Sequence, residues 1–219
     1  MQLSPYDENL KKEYQAIFHK IFKNLKDGGK LNPDRKAVIE KTHEMIRYFD
    51  FCRIAVEVCQ HIGNANNGRL YEEFKKDVKK YGIGEREFKG IYSSVLMYNF
   101  LVMFSNVENM LLDMIKGVDY ERNGKTETVT DRATLGTIVA AIKYQCPDCN
   151  LPEDVVDVKF RNALAHTWYK IEDEKLLYYE NSSLTEPIEM DMAQLHLRFN
   201  KLNVLGNALG ELVLAADWD

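Results

Sequence analysis

Apolar residues recur every three or four positions along most of the chain, the period of one helical face. Leu10, Tyr14, Ile17, Ile21 and Leu25 follow it, predicting a helix over residues 6–25 that Lys26-Asp-Gly-Gly-Lys30 ends. Asn32 and Pro33 restart the pattern as N-cap and first helical residue. The second helix is long, with Val38, Thr42, Met45, Phe49, Cys52, Val56 and Cys59 alternating four and three as in a heptad seam. The run Gly63-Asn-Ala-Asn-Asn-Gly68 then breaks the periodicity and marks a boundary between an N-terminal helical hairpin and the main bundle.

A short charged helix is predicted over 70–81, stopped by Gly82-Ile-Gly84. The most apolar helix comes next, over 85–116, with Leu96, Phe100, Met103, Val107, Met110 and Met114 as its stripe. Residues 117–130 are polar, with Asn123-Gly124 as a turn signal, and read as a loop or a small hairpin. Thr130 or Asp131 caps a helix bearing Leu135, Ile138, Val139 and Ile142, and Pro152 opens the helix that carries Arg161 and His166. Residues 168–172 and 175–179 flank Asp173-Glu174 as a β-hairpin, with a further short strand over 187–190. A final helix over 192–215 carries Leu195, Phe199, Leu202, Leu205, Leu209 and Leu212. The expected architecture is all-α: an up-and-down helical bundle over 69–219 with a small β-hairpin after the motif helix, preceded by a helical extension over 1–68.

Composition narrows the function classes. With 45% hydrophobic and 29% charged residues, the 219-residue chain is that of a folded, soluble protein, and its formal net charge of -5 gives no bulk attraction to nucleic acid or anionic membrane. Any nucleic-acid binding must therefore come from a local patch. No secretion signal precedes the first helix, and the uncharged stretch 90–107 is broken by Ser93, Ser94, Asn99, Ser105 and Asn106, as expected of a core helix rather than a membrane span. Four cysteines in such a chain point to a reducing, cytoplasmic setting.

One segment carries residues that packing does not require: Val158-Lys-Phe-Arg-Asn-Ala-Leu-Ala-His166. Its core, Arg161-Asn162-Ala-Leu-Ala-His166, resembles the signature of the HEPN superfamily, an arginine followed after a short gap by a histidine, often with a polar residue directly after the arginine. The similarity takes in roughly residues 89–216. It implies a metal-independent endoribonuclease without cofactor, acting on RNA as a toxin or antiviral effector, with an antitoxin or regulatory protein as a further partner. The reaction is attack of the RNA 2′-hydroxyl on the adjacent phosphate, leaving a 2′,3′-cyclic phosphate. His166 would move protons, since histidine ordinarily titrates near ~6.5. Arg161 would hold phosphate charge through its planar fork of donors, and Asn162 would orient or contact the phosphate. Asn162 and His166, four apart, share a helical face, whereas Arg161 lies about 140° around from His166. The resemblance resolves that geometry with a homodimer whose motifs meet at the two-fold axis, with Val155, Val158, Asn162 and His166 as the interface stripe. The alternative is a non-catalytic HEPN-like module that binds RNA, a nucleotide or a protein.

Four further features bear on the site. Glu108 lies midway along the most apolar helix, either orienting the arginine or histidine or facing solvent. Tyr169 is a second candidate supporting residue, one position later than the regulatory tyrosine of related toxins, whose place Trp168 takes here, a departure from the pattern on which that form of regulation rests. Lys75, Lys76, Lys79 and Lys80 form either a solvated helix face or the wall of an RNA groove. Cys146-Pro-Asp-Cys149 has zinc-ligand spacing but supplies only half a site, so no metal is expected.

Overall fold

A computed structural model describes residues 7–32, 34–63, 76–77, 79–82, 85–172, 175–183 and 185–215. In chain order the elements are α1 (Glu8–Asp27), α2 (Arg35–Gly63), α3 (Glu85–Ile115), β1 (Asp119–Arg122), β2 (Lys125–Thr128), α4 (Leu135–Gln145), α5 (Val158–Ala165), β3 (Tyr169–Glu172), β4 (Lys175–Tyr179), β5 (Pro187–Asp191) and α6 (Met192–Ala215). The expected all-α class is thus incorrect: the fold mixes helices with two small antiparallel sheets, β1-β2 and β3-β4-β5. Residues 117–130, read as loop or hairpin, form the first sheet. Asn123 and Gly124 both have positive φ, the conformation that a two-residue hairpin turn with the native strand twist requires. The second sheet joins the expected hairpin to the further strand expected near 187–190, with Leu176 opposite Met190 on its buried face.

Capping residues set where the helices begin. The Asp7 carboxylate accepts from the backbone N–H groups of Asn9 and Leu10 and starts α1. Asp34, not Asn32, caps α2: its side chain accepts from Ala37 N–H, while Asn32 donates to the Asp113 carbonyl at the end of α3. Pro33 lies outside the described residues. Thr134 rather than Thr130 or Asp131 caps α4, accepting from Thr137 N–H. Pro152 does not open α5. Its carbonyl accepts from both Val155 and Val156 N–H in a turn, and the helix starts only where Asp157 captures Phe160 N–H at 2.9 Å.

The helices enclose one hydrophobic cluster that runs from Tyr14 to Val213. Helix α2 lies against both α3 and α6, α1 runs along α6, and α5 sits on α3 and β4. By length and composition Ser94–Ile115 is apolar enough to cross a membrane, yet here Leu96, Phe100, Met103, Phe104, Val107, Met110 and Met114 of that stretch are buried core. The α2–α6 approach depends on Gly206 and Gly210, one turn apart. A Cβ at Gly206 would overlap the fully buried Phe49 ring, and one at Gly210 would come within 2.6 Å of Ile46 Cγ1. Asn203 reinforces this seam by donating to the Phe49 carbonyl at 3.0 Å.

Because Phe49 is enclosed on all sides, it cannot swing away from an added methyl group. Gly206→Ala is expected to destabilise the fold by about 1–3 kcal/mol. Chemical denaturation of wild type and variant measures this, and an unchanged midpoint would contradict the close α2–α6 contact.

Candidate functional site

Helix α5 is only eight residues long and is held by its surroundings rather than by its own propensity. Phe160 is fully buried and meets Phe100 (5.4 Å between centroids, edge-on), Phe104 (6.0 Å) and Tyr178 (5.0 Å). Arg198 of α6 lies over the Phe160 ring at 4.9 Å and pairs at 3.1 Å with Asp157, the residue that caps α5. Lys201–Asp154 and Lys159–Glu180 ion pairs flank the same segment. The motif emerges from this clamp, with Arg161 directly after Phe160 and His166 at the end of the helix.

Arg161 is tied to α3. Its Nε and Nη2 both donate to Glu108 Oε2, at 3.0 and 2.6 Å. The Glu108 side chain is 9% exposed and that of Arg161 21%, so the carboxylate sits in the protein while the guanidinium reaches solvent. Of the two readings for Glu108, the structure therefore places it on the arginine and not on a solvent face. Arg161 Nη1 also approaches Asn162 Oδ1 at 3.4 Å, a long contact. The Asn162 carbonyl accepts from His166 N–H at 2.9 Å, so Asn162 touches both members of the motif, one by side chain and one by backbone.

His166 is not within the helix but caps its C-terminus, exposed to solvent. The backbone turns there in a Schellman arrangement: Thr167 N–H donates to the Leu164 carbonyl and Trp168 N–H to Ala163 at 2.8 Å. Glycine normally takes the left-handed position in this motif, but here Thr167 does, at φ 54°. Its hydroxyl donates to the His166 carbonyl at 2.7 Å. The turn brings the Trp168 indole over the imidazole, with centroids 4.7 Å apart and planes 25° from parallel. Among the described residues, neither ring nitrogen of His166 has a hydrogen-bond partner.

The other candidates lie elsewhere. Arg161 and His166 do not contact each other; each is brought to a different partner. Tyr169 begins β3, half-buried against the core, where burial raises the pKa of its hydroxyl, and no described contact joins it to the motif. Lys76, Lys79 and Lys80 are exposed, Lys80 pairing with Asp77 at 2.7 Å, and Lys75 lies outside the described residues. Val155 is fully buried within its own chain and precedes α5, so the expected interface stripe from Val155 to His166 is not one helical face. Cys146 and Cys149 are joined as a buried disulfide, with Asn24 donating to Cys146 Sγ. Among the described residues, no three His, Cys, Asp or Glu side chains gather as a metal site. A shallow depression of about 470 Å³ lined by Asp34, Arg35, Lys36, Ile39 and Glu40 contains no motif residue. Sequence reasoning missed two things, the Trp168 stack and the strained Thr167; the aromatic residue two positions beyond the histidine was the available signal for the first. Comparison of the chain with protein-family models, curated proteins and solved structures finds no match.

The ion pair has unequal partners, which gives a signed expectation. Arg161→Ala strands a carboxylate in an apolar setting and should cost about 3 kcal/mol. Glu108→Ala leaves a partly solvated guanidinium and should cost less, about 1–2 kcal/mol. Replacing both with apolar residues (Arg161→Met with Glu108→Leu) recovers most of the loss. Urea midpoints for the three variants test the ordering, and equal costs for the two single changes would contradict it. Thr167→Gly removes the side-chain penalty of the left-handed position, about 1 kcal/mol. It should raise the midpoint, and a lower midpoint would show that the threonine hydroxyl outweighs the strain.

Proposed function

We propose that the chain is an endoribonuclease of the HEPN type that cleaves RNA through the 2′-hydroxyl, with Arg161, Asn162 and His166 as its working residues. The observation that carries this reading is the buried Glu108 carboxylate that holds Arg161 on a short helix whose C-terminal end presents an exposed histidine, its ring nitrogens without a hydrogen-bond partner among the described residues. A protein that needed only packing at this position would have no use for a carboxylate there, since desolvating it costs several kcal/mol before its partner compensates. A guanidinium has five N–H donors in a plane. Glu108 takes two and the remaining ones are left for Asn162 and for phosphate oxygens.

In the proposed reaction the RNA 2′-oxygen bonds to phosphorus as its proton passes to a base, and the P–O5′ bond breaks as the 5′-oxygen takes up a proton. His166 serves as the proton-transfer group, and Arg161 neutralises charge on the non-bridging oxygens. The second half of the acid–base pair comes from a second copy of the motif in a homodimer. This supplies what one motif lacks, since it carries a single imidazole.

A non-catalytic binding module is the second reading, and one observation favours it: Glu108 offsets the charge of Arg161. Cleavage assays separate the two. Purified protein incubated with single-stranded and structured RNA in chelator should yield 2′,3′-cyclic phosphate ends. His166→Ala, at an exposed position, should lower the rate on the order of 100-fold or more without changing the unfolding midpoint. Arg161→Lys keeps the charge on Glu108 but loses the fork, and should lower the rate as well. Cleavage by both variants at the wild-type rate would reject the ribonuclease reading.

A further inference from the structure

We propose that Trp168 is a positioning residue that fixes the orientation of the His166 imidazole; its catalytic consequence rests on the ribonuclease reading, its structural content does not. An exposed histidine at a helix C-cap would ordinarily sample several rotamers about two side-chain torsions. Here the imidazole lies on an indole whose backbone is bonded on both sides. Trp168 N–H donates to the Ala163 carbonyl at 2.8 Å, and its own carbonyl accepts from Tyr179 N–H at 2.9 Å. The tryptophan backbone is thus bonded to the helix on one side and to β4 on the other, and its ring packs against the hydrophobic cluster. Stacking uses the face of the imidazole. The ring nitrogens lie in its plane and stay open at the edge, where a proton-transfer group must meet its substrate.

Backbone geometry supports the same role. Trp168 reaches the imidazole because Thr167 takes the left-handed conformation at φ 54°, one that β-branched residues rarely adopt. Trp168 N–H then closes on Ala163, which returns the indole over the residue two positions before it. Strained backbone of this kind persists only where the surroundings over-determine it. Here the helix end, the sheet and the stack all do. A helix continuing past residue 166 would carry Trp168 about 200° around the axis from His166, where no stack forms.

Two substitutions separate stacking from packing. Trp168→Phe keeps an aromatic face on the imidazole, while Trp168→Leu keeps the apolar contact with the core but offers no ring. The first readout is NMR of the His166 ring protons, which requires no activity. In the wild type they should show the upfield displacement caused by an adjacent aromatic ring. Trp168→Phe should retain most of that displacement, and Trp168→Leu should lose it while the far-ultraviolet spectrum and unfolding midpoint show a folded protein. The second readout is RNA cleavage. Trp168→Leu should lower kcat on the order of tenfold or more with little change in KM, and Trp168→Phe should recover most of the loss. His166 ring protons at unstacked positions in the wild type, or Trp168→Leu cleaving RNA at the wild-type kcat, would overturn the proposal. Wild-type protein that cuts no RNA but shows the ring displacement, lost in Trp168→Leu, would reject the ribonuclease reading while supporting the positioning role.

Discussion

The placement of a helix two turns long governs everything of chemical interest in this chain. Isolated, α5 would not form, because eight residues provide too few internal hydrogen bonds to offset the cost of nucleation. Phe160 supplies what the helix lacks. Its ring is enclosed by Phe100 and Phe104 from α3 and Tyr178 from β4, with the Arg198 guanidinium above it. Each aromatic pair adds on the order of 0.5–1.5 kcal/mol beyond burial, so the cluster outweighs any propensity of the helix itself. Arg198 ties this packing to the start of the helix, since the same guanidinium holds the capping carboxylate of Asp157. Arg161 follows Phe160 directly, and its position is inherited from that ring.

The buried carboxylate constrains the other side of the site. Glu108 sits on the helix with the longest apolar stripe in the chain, between Val107 and Met110 of the core, and is itself buried. A charge in that setting is tolerated only when a partner is close and correctly oriented, and both bonds from Arg161 converge on one of its oxygens. Packing of α5 on α3 therefore serves two ends at once. It buries Phe160 and brings Arg161 within reach of Glu108, so that loosening the aromatic cluster also uncouples the ion pair.

Much of this was legible from residue order, and the parts that were not have specific causes. Periodicity located the long helices because each buries one stripe, and that stripe repeats every 3–4 residues. It placed helix starts poorly at Asn32, Thr130 and Pro152, because several candidate caps lie within a few residues and tertiary hydrogen bonds choose among them. The all-α expectation failed because two sheets form; at residues 117–130 the choice between loop and hairpin stayed open, since the strands are four residues long and almost wholly exposed, leaving no alternation to read. The close α2–α6 contact through Gly206 and Gly210 was invisible, since an apolar pattern does not distinguish a glycine that admits a neighbour from one that merely fills a place. The motif itself was legible as a pair of residue types. What they touch was half legible: Glu108 stood out as an acid in an apolar run, whereas the stack on Trp168 depends on a backbone reversal that threonine rarely makes.

That reversal changes what the motif spacing means. Counted along a regular helix, Arg161 and His166 would diverge by about 140° and share one rigid support. In the structure the helix stops at Ala165, so His166 leaves the cylinder and takes its orientation from Trp168, which belongs to the sheet side of the site. Arg161 takes its own from Glu108 on α3. The two groups thus answer to different elements and are linked through Asn162, whose side chain meets Arg161 and whose carbonyl accepts from His166 N–H. A four-residue gap between arginine and histidine is then less a helical register than the length needed for one helix end to present two residues to two separate anchors. Other gap lengths would satisfy the same requirement if the helix ended correspondingly later, with the histidine still at the cap and an aromatic ring behind it.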